Sequence, residues 1–561
     1  MKTIPLITIL ALTALVVAGP AIAAPIITVV ARTVTQAPGE NVGINFREFN
    51  GFEVGNGGQV VFGAHVDPSF NTADGIWLNN GTATVRVAKA GVQAPGLPTG
   101  VNFSSLTLNA SSGPYVDDAG RVTFRGIVTT GPGGVTTDNN KGLWQGTPGS
   151  LTPIYRTGIA APDTPAGAVF SDFFELVSNS SGQVGFRGAL KSGVGGVSTT
   201  NDVGIWVNEQ SAGLRMLARE GSPAPGVSGG RTFQSSLGAG DVMPFTGLQL
   251  SDHGQVVFGG RLNDDTRGIW FGDASAGVSL IALGNTQAPG TPAGALFEKT
   301  TLARGADRRF GVSPAGNLAF PALLTTGAGG VVSANQHGLW SRVAGTTLLA
   351  AREASPAPGL ASGVNFSNSG ANPFDGAEVN DAGNVVFKAF VAGTGITASN
   401  DSAIWTGRLI TLQPVVREGQ LAPGAPAGFV FGDLATVRPV LNELGQFAFI
   451  ADAQNAAGTV TRRGLWAWDP GLGLMKIAIQ GESLTLAPGV TRTVSTVQGN
   501  FDAAFTGARS LNDAGQLVFQ ATFTDDSQAI LKTNVPEPAA ALLLGCGGLL
   551  LMARQRPTPA C

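Results

Sequence analysis

Three short marks recur in a fixed order along almost the whole chain, and they limit its fold more than any other feature. The first is Ala-Pro-Gly, centred on Pro38, Pro95, Pro225, Pro289, Pro358, Pro423 and Pro488, with a degenerate copy at Ala161-Pro162-Asp163. The second is a small polar residue, two further residues, a Gly, then an apolar alternation ending in Phe62, Phe124, Phe186, Phe258, Phe320, Phe387, Phe449 or Phe519. The third is Gly or Ala, Ile or Leu, then Trp: Trp77, Trp144, Trp206, Trp270, Trp340, Trp405 and Trp466, with Ala529-Ile530-Leu531 in the last copy. The period is roughly 65 residues, that of a supersecondary unit that cannot bury its apolar face alone and must stack on its neighbours.

Each mark has a mechanical reading. In Ala-Pro-Gly, Pro presets φ at the second turn position and Gly takes the positive φ of the third, as a type II turn requires. Segments such as Asn380-Asp381-Ala382-Gly383 read as tight turns that launch a strand. Between turns the runs are short, β-branched and aromatic, without helical period, which predicts four strands per unit. Repeated four-stranded units predict an all-β fold, a β-propeller of about eight blades over residues 24–534. The unit order adds a second expectation. The chain starts with a lone fourth strand, Ile26 to Arg32, and ends after a lone third strand at Leu531, so the N-terminal strand completes the last blade and closes the ring.

Composition agrees. Gly at 81 of 561 residues is about double the usual share, and charged residues are only 13% against roughly 25% in an average domain. Disorder is excluded by the 43% apolar content and its regular recurrence. A net charge of -3 without a run of Lys or Arg provides no footprint for nucleic acid. The only cysteines, Cys546 and Cys561, leave the propeller region neither a disulfide framework nor a thiolate metal site.

The two ends read as addresses. Lys2, an apolar run from Ile4 to about Ala18, and small residues Ala21 and Ala23 before Ala24 form a signal peptide over residues 1–23 with its cleavage point. At the other end, Val535-Pro536-Glu537-Pro538 precedes fifteen uncharged residues, Ala539 to Ala553, followed by Arg554 and Arg556. A helix of that length spans about 22 Å against a hydrocarbon core of about 30 Å, a marginal membrane anchor. The arginines keep the far end cytoplasmic, with everything before Val535 outside. This arrangement over residues 535–561 resembles the PEP-CTERM sorting signal of Gram-negative bacteria. The resemblance implies an exosortase-type membrane enzyme as processing partner, removal of the tail near the Pro-Glu-Pro box, and an association with exopolysaccharide and biofilm. The extension Pro557 to Cys561 departs from the pattern. The repeat itself resembles the NxxGxxAF tandem-repeat family that carries a choice of anchors, a resemblance that brings no activity with it.

Residues suited to chemistry are few. Seven tryptophans in one repeat slot read as inter-blade core before they read as a sugar-stacking ring, which leaves Trp468, outside the slot, as the candidate ligand platform. His65, His253 and His337 occupy three different frames, so no His-based metal site is expected. Gly226 to Gly230 matches G-x-S-x-G but trails a turn in a chain without helices. The pairs Asp117-Asp118, Asp264-Asp265 and Asp525-Asp526 read as turns; Ca²⁺ is the one cofactor they leave open. Long, nearly uncharged loops, Thr130 to Lys141, Ser192 to Val203 and Thr326 to His337, are where a rigid ring would bind a neutral polar ligand such as a glycan.

The expectation is therefore an exported, non-catalytic surface or matrix protein that binds polysaccharide or other envelope components. The alternatives are a secreted carbohydrate-active hydrolase or lyase using blade-loop carboxylates, and a purely structural spacer.

Overall fold

The computed structural model describes residues 25–66, 74–107, 114–209, 213–234, 244–302, 310–368, 373–374, 376–499 and 509–535. Among them, helix is limited to one 3-10 turn, Pro132–Gly134, and the strands form eight antiparallel sheets, each of four or five strands. Blade 1 shows the pattern: Phe46–Val54, Val60–Val66, Asp74–Asn79 and Thr84–Lys89 hydrogen-bond in sequence order. Blades 2 to 7 repeat that order. Blade 8 takes Val490–Gln498, Gln516–Phe523 and Gln528–Asn534 from the end of the chain and Thr28–Arg32 from the beginning.

Ring closure is thus a ladder between the two ends. Thr28 faces Lys532, Val29 faces Leu531 and Arg32 faces Ala529, with a bulge between Val29 and Ala31. This pairing removes the one edge a propeller would otherwise leave open.

The core is divided among the blade interfaces. Eight apolar clusters each draw on two neighbouring blades; in one, Trp144 and Phe124 of blade 2 pack on Val61, Ile76 and Leu78 of blade 1. The cluster of Trp77, Phe62 and Phe46 takes Ala31, Val518 and Ile530 from blade 8, so the last interface is packed like the rest. Because each sheet buries both faces against its neighbours, every blade depends on the next for its stability.

The antiparallel order gives the ring two unlike faces. The Asn-type turns between first and second strands and the hairpins between third and fourth strands lie on one, the hairpin face. The long loops between second and third strands and the Ala-Pro-Gly loops between blades lie on the other, the loop face. The Ala-Pro-Gly turns have the expected geometry: Gly39 has φ 80° and the Glu40 N–H donates to Ala37 O at 3.2 Å. In the degenerate copy Asp163 itself takes φ 59°. The copy at Pro488 departs from the others. There Ser483–Ala487 pairs with Val490–Gln498 as a hairpin with Pro488-Gly489 at its tip, which adds a strand to blade 8.

No described helix is long and apolar enough to cross a membrane. The signal-peptide residues, with Ala21, Ala23 and Ala24, and the tail residues Pro536, Glu537, Pro538, Arg554 and Arg556 lie outside the described residues. Val535 is described, and it packs into the blade 8 cluster with its N–H donating to Gly515 O at 2.7 Å.

Candidate functional site

The tryptophan slot is a clasp. All seven indoles are buried, and each Nε1–H donates to the carbonyl of the proline in the turn that precedes its own blade: Trp77 to Pro38 at 3.0 Å, Trp340 to Pro289 at 2.9 Å, Trp466 to Pro423 at 3.1 Å. The same indole stacks on the second-strand Phe, as Trp405 does on Phe387 at 6.1 Å and 11°. It also meets the first-strand Phe edge-on, as with Phe366 at 5.1 Å. Two of the three sequence marks are therefore halves of one contact, and the tryptophans present no stacking surface. Trp468 is half-buried, with its ring stacked on Phe447 at 5.3 Å, so one face of the expected platform is already taken.

Four long loops of the loop face end in the same closing turn. In blades 2, 3, 5 and 6 an Asn side chain closes the loop by accepting a backbone N–H at 2.8 Å: Asn139 from Thr136, Asn201 from Ser198, Asn335 from Val332, Asn400 from Thr397. Val135, Val197 and Val331 anchor three of them in the blade interface. An arginine at the end of the fourth strand ties each loop down through the same Asn carbonyl, as Arg352 does to Asn335 at 2.8 Å. Exposed at the tips are the hydroxyls of Thr137, Thr199, Thr200, Ser333 and Ser399 and, in blade 2, the carboxylate of Asp138, which pairs with Lys191 at 2.6 Å.

On the hairpin face the Asn-type turns meet around the axis in a closed relay that sequence reasoning missed. Asp118 N–H donates to Ser180 O at 2.9 Å and Ser180 N–H to Asp252 Oδ1 at 2.9 Å. Asp252 N–H donates to Pro314 O at 3.0 Å, and the next residue, Ala315, donates to Asp381 Oδ1 at 2.7 Å. Asp381 donates to Glu443 Oε2 at 2.8 Å, Glu443 to Asp513 Oδ1 at 3.1 Å, and Asp513 to Asn56 Oδ1 at 3.1 Å. Asn56 N–H donates to Asp118, which completes the circle.

Arg509 sits among these carboxylates, 3.3 Å from Asp252 and 3.8 Å from Asp513, and its carbonyl accepts the Val54 N–H at 2.9 Å. Burial opposes its charge, but Asp252, Asp513, Glu53 and Asp118 outweigh that and hold the guanidinium above its ordinary range. Burial pushes Glu53 up to about 8, with Arg509 and N–H donors from Val116 and Arg509 pulling back only in part. Burial, with Asp381 and Asp513 adding like charge, pushes Glu443 up to about 7. Asp118 is raised by burial and by Asp252. Beside Arg509, Glu53, Asn56, Asp118 and Ser180 line a small cleft of about 10 Å³, room for a single water. Most of these carboxylates already accept N–H groups from neighbouring turns, so the collar acts chemically as a fastener between blades.

The remaining candidates stay apart. His65, His253 and His337 fall in blades 1, 4 and 5; His337 Nδ1 lies 2.8 Å from Oε1 of the buried Glu353. Asp117 folds back on Arg121 at 2.6 Å, Asp264 accepts the Thr266 N–H at 3.1 Å, and Asp525 accepts the Ser527 N–H at 3.2 Å, the turn reading in each case. Ser228 follows the Gly226 turn without a helix after it. Among the described residues no three His, Cys, Asp or Glu are grouped to hold a metal ion.

Eight blades, a terminal-strand seam and an axial collar define a closed β-propeller protein. The chain belongs to DUF7453, a family of unknown function, whose model matches residues 23–224, 189–284 and 230–542. No curated protein matches the sequence. Among solved structures it is similar to the Dos1 propeller at 9% identity and a TM-score of 0.36, covering 87% of this chain and 93% of that one. The β-propeller domain of the Trilobed protease from Pyrococcus furiosus is similar at 9% identity and 0.35, covering 77% and 96%. Puromycin hydrolase is similar at 12% identity and 0.34, covering 80% of this chain; the chain spans only 58% of that protein.

Proposed function

We propose that the protein is an exported, non-catalytic surface or matrix component whose loop face binds polysaccharide or another neutral envelope polymer after an exosortase-type enzyme removes the tail. The observation that carries this reading is the shared frame of the four long loops. Four blades present hydroxyl-bearing tips closed by the same Asn bond, with Asp138 their one exposed carboxylate, a surface suited to repeated hydrogen bonding along a polymer of like units. Exposed Val34, Val92, Ile159 and Leu421 beside them offer apolar contact to the C–H faces of sugar rings. The signal peptide and sorting tail read from the sequence supply the route to the surface.

A second reading, a secreted carbohydrate-active hydrolase or lyase, has one observation in its favour. His337 is held by Glu353 on the loop side of blade 5, and a carboxylate that fixes one imidazole nitrogen leaves the other to act as a base. Incubating the purified mature chain with a glycan panel separates the readings. Binding without product is the expected outcome, release of oligosaccharide would favour the second reading, and silence would leave a spacer. Intact-mass analysis of envelope and secreted fractions tests export: the expected chain lacks both terminal segments, and an uncut cytoplasmic product would overturn the route.

A further inference from the structure

We propose that, while the tail is attached, the hairpin face of the propeller is held against the lipid surface and the loop face points away from it. The proposal rests on the reading of residues 539–553 as a membrane anchor. Its geometry comes from the seam. The third strand of blade 8, Gln528–Asn534, runs from the loop face to the hairpin face, and Val535 is still fixed there by burial and by its bond to Gly515 O. The N-terminal strand pairs antiparallel to it, so the chain enters at the same place: Thr533 Oγ1 donates to Ile26 O at 2.9 Å and Thr28 Oγ1 to Lys532 O at 3.0 Å.

Both terminal segments therefore leave the same edge of the same blade. Between Val535 and the apolar run stand only Pro536, Glu537 and Pro538, so Val535 and Ala539 are at most about 14 Å apart when this tether is fully extended. A blade strand of six or seven residues is about 20 Å deep. The tether is too short to bring the loop face of blade 8 to the lipid without unravelling the last strand. The tether sets this orientation without electrostatic attraction, so it should hold on neutral lipid, and the acidic collar would oppose it only on anionic lipid. The orientation also leaves the long loops free on the outer side.

Fluorophores attached to single cysteines in the full-length chain test this, with Cys546 and Cys561 replaced by Ser. Thr82→Cys and Ala514→Cys report the hairpin face; Val42→Cys and Thr524→Cys report the loop face; all four positions are exposed. The chain is reconstituted in phosphatidylcholine vesicles containing a headgroup spin-labelled lipid as a short-range quencher. The expected result is several-fold stronger quenching at positions 82 and 514 than at 42 and 524. Equal or reversed quenching in vesicle-bound chain would overturn the orientation alone. Failure of the chain to float with the vesicles would overturn the anchor reading and this proposal with it.

Discussion

Blade 8 and the other seven solve the same packing problem with different chemistry. In blades 1–7 a Trp closes the blade interior, its indole tied to the proline of the preceding turn. In blade 8, Leu531 stands in that slot and Val494 replaces the first-strand Phe. The hairpin leucines Leu484 and Leu486 join Leu517, Phe519 and Leu531 in a mainly aliphatic cluster. The turn at Pro488 has no indole to receive and opens into a hairpin. Where one continuous stretch supplies a whole blade, a specific aromatic clasp fixes turn to strand. Where the ring closes, a strand from the other end must dock late, and a ladder over an aliphatic core takes its place.

The largest expected effect follows at the seam. Removing residues 25–33 exposes Ala529, Ile530 and Leu531, all buried, and leaves an open ladder on blade 8. Thermal unfolding should start well below that of the intact chain, with a larger fall than for any single substitution below. A transition as sharp and as high as the intact chain's would show that the terminal strand does not close the ring.

The clasp is the next test. Trp340→Ala should cost about 3–5 kcal/mol in denaturant unfolding. Trp340→Phe keeps a ring beside Phe320 but leaves Pro289 O without its donor, at about 1–3 kcal/mol. If Trp340→Phe is near neutral while Trp340→Ala keeps its full cost, the hydrogen bond to the turn contributes little and the clasp is only bulk. In blade 8 the analogous Leu531→Trp should destabilise by about 1–3 kcal/mol, because the aliphatic cluster has no room for an indole.

The sequence and the structure agree where a feature repeats. The eight Phe-ending strands set the blade number, the order of marks at the two ends located the seam, and the Trp slot was legible as core. The collar was not. Its positions are Asn56, Asp118, Ser180, Asp252, Pro314, Asp381, Glu443 and Asp513, a slot whose members look like ordinary turn residues, and only ring geometry turns them towards one another. Arg509 follows no repeat, so its place among the carboxylates carried no signal. The bond from indole to proline escaped for a related reason: the two marks were visible, but the distance between them was not.

The collar's charges add a smaller, pH-dependent effect to this contrast. Glu443, Glu53 and Asp118 all have folded values raised above their ordinary ones. Their contribution to stability is therefore fully present below the ordinary carboxylate range and is lost as pH rises through the folded values, about 7 for Glu443 and about 8 for Glu53. Tm should be a few degrees lower at pH 8 than at pH 5.5, and Glu443→Gln should flatten part of that slope. Glu443 is half-exposed, so screening keeps its share modest. A Tm that rises between pH 5.5 and 8 would mean that the collar is not under this strain.

The smallest effect lies in the residue two before each Trp, which tests how tightly the clasp is built. A Cβ placed on Gly338 would lie 2.6 Å from the Trp340 ring, whereas blade 6 carries Ala403 at the same point, fully buried beside Trp405. Blade 6 thus holds a methyl beside its indole at the point where blade 5 leaves no room for one. Gly338→Ala must push the ring outward and lengthen its bond to Pro289 O, and Trp fluorescence should shift as the indole moves. Ala403→Gly relieves no clash and frees backbone in the unfolded chain, costing about 0.5–1 kcal/mol. Should Gly338→Ala be neutral, the clasp has slack in it, and the aromatic blades differ less from the aliphatic seam than their contacts imply.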